Sequence, residues 1–210
     1  MSLYYLKKEP KLKNDNCGVI ILLHGYGSNE EDLFSFANEL PQEKYIISAR
    51  APYTLQGYGY AWYAINFDAD ENKFSDNEQA IQSVHTIANF IDEIVLKYSI
   101  NPLDVTLIGF SQGAILSYAV ALWYPEKIKK VAALSGYVNE AILPKNLPIK
   151  LNTTFYVSHG SSDQVIPVQW ARKSEQYLKE NNILYIYYEY PIGHGVSPKN
   201  FYDLLQWLNQ

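Results

Sequence analysis

Residues 19–23, VIILL, are five apolar residues in an unbroken row, and similar runs return at 45–49 (YIISA), 105–109 (VTLIG), 131–135, 154–158 and about 185–190. A run this short, apolar at every position, suits a strand covered on both faces. Helical patterns separate the runs. EEDLFSFANEL follows the first and ends before Pro41, and NEQAIQSVHTIANFIDEIVLKY makes a long amphipathic stretch at 77–98. Others cover about 112–124, 168–181 and 198–209. Strands alternating with helices along one chain predict a mostly parallel central sheet with helices on both faces, an α/β fold.

The punctuation agrees. Ser75-Asp76-Asn77-Glu78 reads as a capping box opening the long helix, and Asn101-Pro102 as its stop. Residues 50–74 are loop-rich, with Pro52, Gly57 and Gly59, and 144–148 form a Pro-rich loop. No repeat, low-complexity tract or linker interrupts the pattern, so 1–210 is expected to be a single domain.

Composition excludes several function classes. An apolar fraction of 48% with 19% charged residues is not that of a disordered chain. A formal charge of −5 favours neither nucleic acid nor an anionic membrane surface. No run approaches the roughly 18 apolar residues of a membrane span, and MSLYYLKKEPKLKN lacks the apolar core of a signal peptide. The single cysteine, Cys17, leaves no internal disulfide, which fits a cytoplasmic location. Four histidines and one cysteine without close ligand spacing predict no metal site.

The chemistry gathers where the runs end. Gly109-Phe110-Ser111-Gln112-Gly113 matches G-x-S-x-G between an expected strand and an expected helix, the setting of a nucleophile elbow. The bland alternative is a strand–helix turn with a capping serine. A serine hydroxyl needs a base to take its proton. Of the four histidines, His85 lies mid-helix as a packed or surface residue. His24 and His159 each precede a glycine at a run's end and suit structural bonds to loop backbone. His194, in Pro191-Ile192-Gly193-His194-Gly195 after the last strand, shares the carboxyl edge of the sheet with Ser111 and is the candidate base. Asp163, in HGSSDQVIP after the strand at 154–158, is the candidate orienting acid, in the chain order serine, acid, histidine. The plain alternative is a turn residue capping the next helix. Glu189, inside a strand, and Asp203, on the last helix, are weaker rivals. An oxyanion would need two backbone N–H donors: Gln112, after the serine at a helix N-terminus, and Tyr26, in the early loop His24-Gly25-Tyr26-Gly27. That Gly-rich loop could suit a phosphate, but the carboxylates after it and the lack of a lysine argue otherwise.

The ordered set LLHGYGSNEEDL (22–33), AWY (61–63), GFSQGAILSYAVAL (109–122), LSGY (134–137), HGSSDQVIPV (159–168) and GHGVSPKNFYDLLQWL (193–208) resembles the phospholipase/carboxylesterase family of α/β-hydrolases. That family includes acyl-protein thioesterases and small bacterial carboxylesterases. The resemblance covers almost the whole chain and implies an α/β-hydrolase fold. It implies Ser111, Asp163 and His194 as catalytic triad and Tyr26 and Gln112 as oxyanion donors. It gives Trp62 as an aromatic lining an acyl-binding groove, with core packing as the other reading. A small-molecule ester, often short-chained, is the implied substrate, and the resemblance implies no metal or organic cofactor. Long-chain thioesters or lysophospholipids, or a non-catalytic binding role, are the alternatives. The segment LYIYYEY (184–190) is unusually apolar and aromatic for a strand near a sheet edge, and raises a homodimer as an expectation.

Overall fold

In the computed structural model of the protein, residues 3–12, 16–67, 73–147 and 151–210 are described. Parts of the expected loop 50–74 and of the N-terminal segment, and position 148 of the Pro-rich loop, lie outside them. The chain runs β1 (Tyr5–Lys8), β2 (Val19–Leu23), α1 (Glu31–Phe34), β3 (Tyr45–Ala49), β4 (Tyr53–Thr54), β5 (Tyr60–Ala61), β6 (Ile65–Phe67) and β7 (Lys73–Ser75). It continues α2 (Asn77–Tyr98), β8 (Val105–Phe110), α3 (Gln112–Trp123), β9 (Lys130–Leu134), β10 (Thr154–Gly160), α4 (Val168–Glu180), β11 (Leu184–Tyr190) and α5 (Pro198–Leu208). Seven strands form one sheet in the order β1-β3-β2-β8-β9-β10-β11. All neighbours pair parallel except β1, which runs antiparallel on β3.

The period-two alternation of each strand divides the core into two layers. Val19, Ile21 and Leu23 of β2 face a layer with α2 and α3, joined by Leu178 of α4. Ile20 and Leu22 face the other, with Leu33 of α1 and Leu204, Trp207 and Leu208 of α5. Helix α3 is buried along almost its whole length, from Gln112 to Leu122. A chain with helices on both faces places its loops at the carboxyl ends of the strands. Because β2 leads towards β3 on one side and β8 towards β9 on the other, the crevice opens between β2 and β8.

The expected elements are present with informative differences. The helix expected through residue 40 is a single turn, α1, closed by the Ser35 hydroxyl donating to the Asp32 carbonyl (2.7 Å). Successive i→i+3 bonds, such as Ala37 N–H to Phe34 O, carry the chain on and still bury Leu33, Ala37 and Leu40. The apolar spacing was therefore real but is met by turns. The cap of α2 is Asp76, whose carboxylate accepts from Gln79 N–H at 3.0 Å, because Ser75 is spent as the last residue of β7. At its other end α2 stops at Ser99, in the left-handed conformation (φ 50°), before the Asn-Pro pair is reached. Strand β1, YLKK, is absent from the sequence expectation because its lysines break the apolar pattern, as suits an edge strand. The opposite edge is β11, where Leu184 and Tyr188 are exposed.

Candidate active site

Ser111 occupies the one-residue corner between β8 and α3, with φ 53° and ψ −114°. Such a backbone costs a non-glycine residue about 1–3 kcal/mol and survives only where the surroundings enforce it. Here they do. Its N–H donates to Leu134 O on β9 (2.9 Å), and its carbonyl accepts from Ala114 and Ile115 N–H at 3.0 and 3.1 Å. The flanking glycines let the corner close. A Cβ at Gly113 would lie 2.0 Å from Leu23 O of β2, and one at Gly109 2.3 Å from Gly113 O. The G-x-S-x-G spacing is thus a packing requirement for seating a buried helix on a buried strand.

Asp163 follows β10 and His194 follows β11, and the structure brings the two together. His194 Nδ1–H donates to Asp163 Oδ2 at 2.7 Å. The carboxylate is fully buried and the imidazole side chain is 17% exposed. Asp163 Oδ1 accepts from Val165 and Ile166 N–H at 2.8 and 2.9 Å. One oxygen of Asp163 thus closes the turn and the other faces His194, while the cap position of α4 falls to Pro167 and not to Asp163. With Nδ1 as donor, His194 Nε2 is left as an acceptor. Ser111 and His194 line the same cleft of about 290 Å³, and the His194 ring lies 4.9 Å from that of Phe110.

The early loop meets Ser111 from the β2 side, where a Cβ at Gly25 would lie 3.3 Å from the Ser111 Cβ. Its course is fixed by Gly27 N–H to Tyr60 O (2.9 Å) and Tyr60 N–H to Ser28 O (2.8 Å). Beyond it, Arg50 forks onto Glu30 (2.6 and 2.5 Å) and stacks on the rings of Tyr4 and Tyr60 (4.2 and 4.5 Å). His24 is buried and receives Ala51 N–H on Nε2 (3.1 Å), so Nδ1 is the donor to Gly25 O (2.7 Å). Burial pushes its pKa down, and it stands as a neutral strut. Tyr26 lines the cleft with a partly exposed side chain. Gln112 is the first residue of α3, where an N–H has no carbonyl one turn back to bind.

Three features escaped sequence reasoning. The Gln112 side chain accepts from Trp62 N–H and donates to Tyr63 O, both at 2.8 Å, so it holds the 61–63 segment over the helix start. Its i+1 position beside the serine marked only its backbone. Trp62 itself does not line the cleft. It is fully buried, its indole N–H bonded to His24 O at 3.0 Å, and its neighbour Tyr63 is the cleft residue. The remaining wall is built by Ile115, Tyr137, Ile166 and Trp170. Tyr137, within LSGY, stands edge-on to Trp170 at 4.7 Å. Burial pushes the phenols of Tyr63 and Tyr137 up, so both face the cleft as neutral hydroxyls. The remaining candidates have other partners. Glu189 is forked by Arg172 (2.7 and 2.7 Å), Asp203 accepts from Tyr190 and Lys199, and His85 Nδ1 pairs with the Tyr124 hydroxyl at 2.6 Å.

A seven-stranded, mostly parallel sheet with a strained serine at the β8–α3 corner and an Asp–His pair on later loops defines an α/β-hydrolase. Within that class, the chain belongs to the phospholipase/carboxylesterase family, whose model matches residues 9–210, and it is a serine hydrolase of the esterase type. It is 27% identical to an acyl-protein thioesterase 1 of Yarrowia lipolytica, across 94% of this chain and 93% of that one. It is also 27% identical to a probable carboxylesterase SOBER1-like of Arabidopsis thaliana, across 91% and 78%. The Bacillus cereus carboxylesterase shares the fold, with a TM-score of 0.84 at 18% identity, covering 99% of this chain and 93% of that one. Among the described residues no helix is long and apolar enough to cross a membrane.

Proposed function

We propose that the protein hydrolyses small carboxylic esters with short acyl groups, in the cytoplasm, through an acyl-enzyme on Ser111. The observation that carries this reading is the 2.7 Å bond from His194 Nδ1 to the buried Asp163 carboxylate, in a cleft that also holds the strained Ser111. In the proposed cycle Ser111 Oγ attacks the ester carbonyl carbon as its proton passes to His194 Nε2. Asp163 keeps the ring oriented and stabilises the imidazolium. The oxyanion is met by the N–H groups of Tyr26 and Gln112, the latter aided by the α3 dipole. The leaving alkoxide takes the proton from Nε2. Water, deprotonated by the same nitrogen, then releases the acid.

A cleft of about 290 Å³ sits at the low end of ligand pockets, which run from roughly 300 Å³ upwards. That supports short acyl groups. The name of the Yarrowia relative favours a second reading, an acyl-protein thioester, which passes through a similar oxyanion and to which the alternative of a long acyl chain belongs. Hydrolysis of p-nitrophenyl esters of increasing chain length tests both, with wild type and Ser111→Ala. The expected result is activity highest on acetate and butyrate and labelling by a fluorophosphonate, both lost in Ser111→Ala, activity by about three orders of magnitude or more. Wild type without turnover or label would reverse the reading.

A further inference from the structure

The His194–Asp163 pair has a neighbour that the proposed cycle does not use. His159, the penultimate residue of β10, is buried completely, as is Asp163. Its Nε2 lies 2.8 Å from Ile166 O and 3.3 Å from Asp163 Oδ2, the oxygen that accepts from His194. A carbonyl can only accept, so Nε2 carries the hydrogen and donates it to Ile166 O, with Asp163 Oδ2 beside the same nitrogen as a charge contact rather than a hydrogen bond. The other nitrogen, Nδ1, has no hydrogen-bond partner among the described residues. That suits a bare lone pair better than a buried N–H, and the neutral Nε2–H tautomer satisfies both ends. Ile166 closes the arrangement. Its N–H donates to Asp163 Oδ1 while its carbonyl accepts from His159. Asp163 Oδ1 is thus held by a residue whose carbonyl His159 Nε2 holds in turn, and Oδ2 lies 3.3 Å from that same nitrogen.

We propose that His159 is a positioning residue that sets the basicity of His194 through Asp163; the inference rests on reading Asp163 and His194 as the acid–base pair. His194 holds Oδ2 by a hydrogen bond, and the His159 N–H dipole, its nitrogen 3.3 Å from the same buried oxygen, offsets part of that oxygen's charge, so His194 feels less of it. Without the His159 N–H, that charge falls on His194 alone, the imidazolium is held more strongly, and the ring stays protonated to higher pH. The other charged groups around the pair are few. Glu189, the register partner of His159 on β11, is held by Arg172 of α4, and Asp32 lines the cleft with His194. Substitution at 159 leaves them in place.

The test is the pH profile of kcat/KM on p-nitrophenyl acetate for wild type, His159→Phe and His159→Gln. The phenyl ring fills the site without a donor, whereas the glutamine amide keeps one. The acid limb is expected to rise in His159→Phe by about half to one pH unit, a three- to ten-fold loss of rate at a pH on the limb. His159→Gln is expected to retain the wild-type limb. A His159→Phe profile that superimposes on wild type apart from a lower plateau would mean that His159 only props the loop. Should His159→Phe not fold, ¹⁵N-histidine NMR of the wild type decides. An Nε2–H tautomer protected from exchange is expected, and an Nδ1–H tautomer overturns the proposal because no N–H would then face Asp163. The NMR measurement needs no turnover, so a wild type inactive on every ester would sink the esterase reading while His159 is still judged separately.

Discussion

Gly160 stands so close to Gly193 that a methyl group on it would lie 2.1 Å from the Gly193 carbonyl oxygen. The loop that carries His194 is therefore laid directly on the end of the strand that leads to Asp163. Ser161 and Ser162 N–H tie it down further, donating to Tyr190 O at 2.7 Å and Ile192 O at 3.0 Å. The relative placement of the side chains at 163 and 194 depends on a backbone contact between two glycines.

Gly160→Ala must then push the loop outwards. A displacement of about an ångström at a reacting group can cost on the order of a hundredfold. We expect kcat/KM on p-nitrophenyl acetate to fall by about that factor while the folded state persists by circular dichroism. An unchanged rate would mean that the loop can yield without moving the imidazole.

Gln112 makes a second prediction, concerning stability. In Gln112→Ala the Trp62 N–H and Tyr63 carbonyl lose their partners inside the protein. Leaving buried polar groups unpaired costs about 1–3 kcal/mol each. Urea unfolding should show a loss of about 2–4 kcal/mol, and a loss below half a kcal/mol would show that the bridge does not hold the segment.

The placement of Trp62 in the core and Tyr137 on the cleft wall separates two kinds of effect. Trp62→Phe should lower stability by about 1–3 kcal/mol through the lost bond to His24 O and leave the ratio of butyrate to acetate hydrolysis alone. Tyr137→Ala should raise that ratio about tenfold, since each methylene accommodated is worth about 1–3 kcal/mol. The opposite pattern in the kcat/KM ratios would return Trp62 to the groove.

Acid should weaken the Glu30–Arg50 fork. The guanidinium bonds hold the Glu30 carboxyl below its ordinary value of 4.5. A carboxyl lowered by folding adds stability that is fully present above its unfolded value and is lost as the pH falls through the lower folded one. The gap in unfolding free energy between wild type and Glu30→Gln should thus be about 1–3 kcal/mol at pH 7 and shrink progressively below pH 4.5. A gap that stays constant into acid would assign the effect to packing.

Most of the sheet was legible because its strands are buried on both faces and so cannot afford polar positions. Strand β1 was not, since an edge strand tolerates Lys7 and Lys8 that a central one would exclude. The candidates Ser111, Asp163 and His194 stood out by residue type at the ends of runs, and the topology brings those ends together. Trp62 was misplaced for a physical reason: a tryptophan beside a cleft and one under it look alike in sequence, and only the partner of its N–H tells them apart. The roles of the Gln112 amide and His159 depend on contacts across 50 and 4 residues that no local pattern encodes.

The corner at Ser111 has a thermodynamic consequence. The backbone there, at φ 53° and ψ −114°, is one that only glycine adopts without strain. Glycine at 111 would relieve about 1–3 kcal/mol and give back about 0.4–1 kcal/mol through a more flexible unfolded chain. The balance lies on the side of the glycine. A population selected for thermal endurance alone would drift towards losing its hydroxyl, and the serine persists in this fold only while something outside folding asks for it.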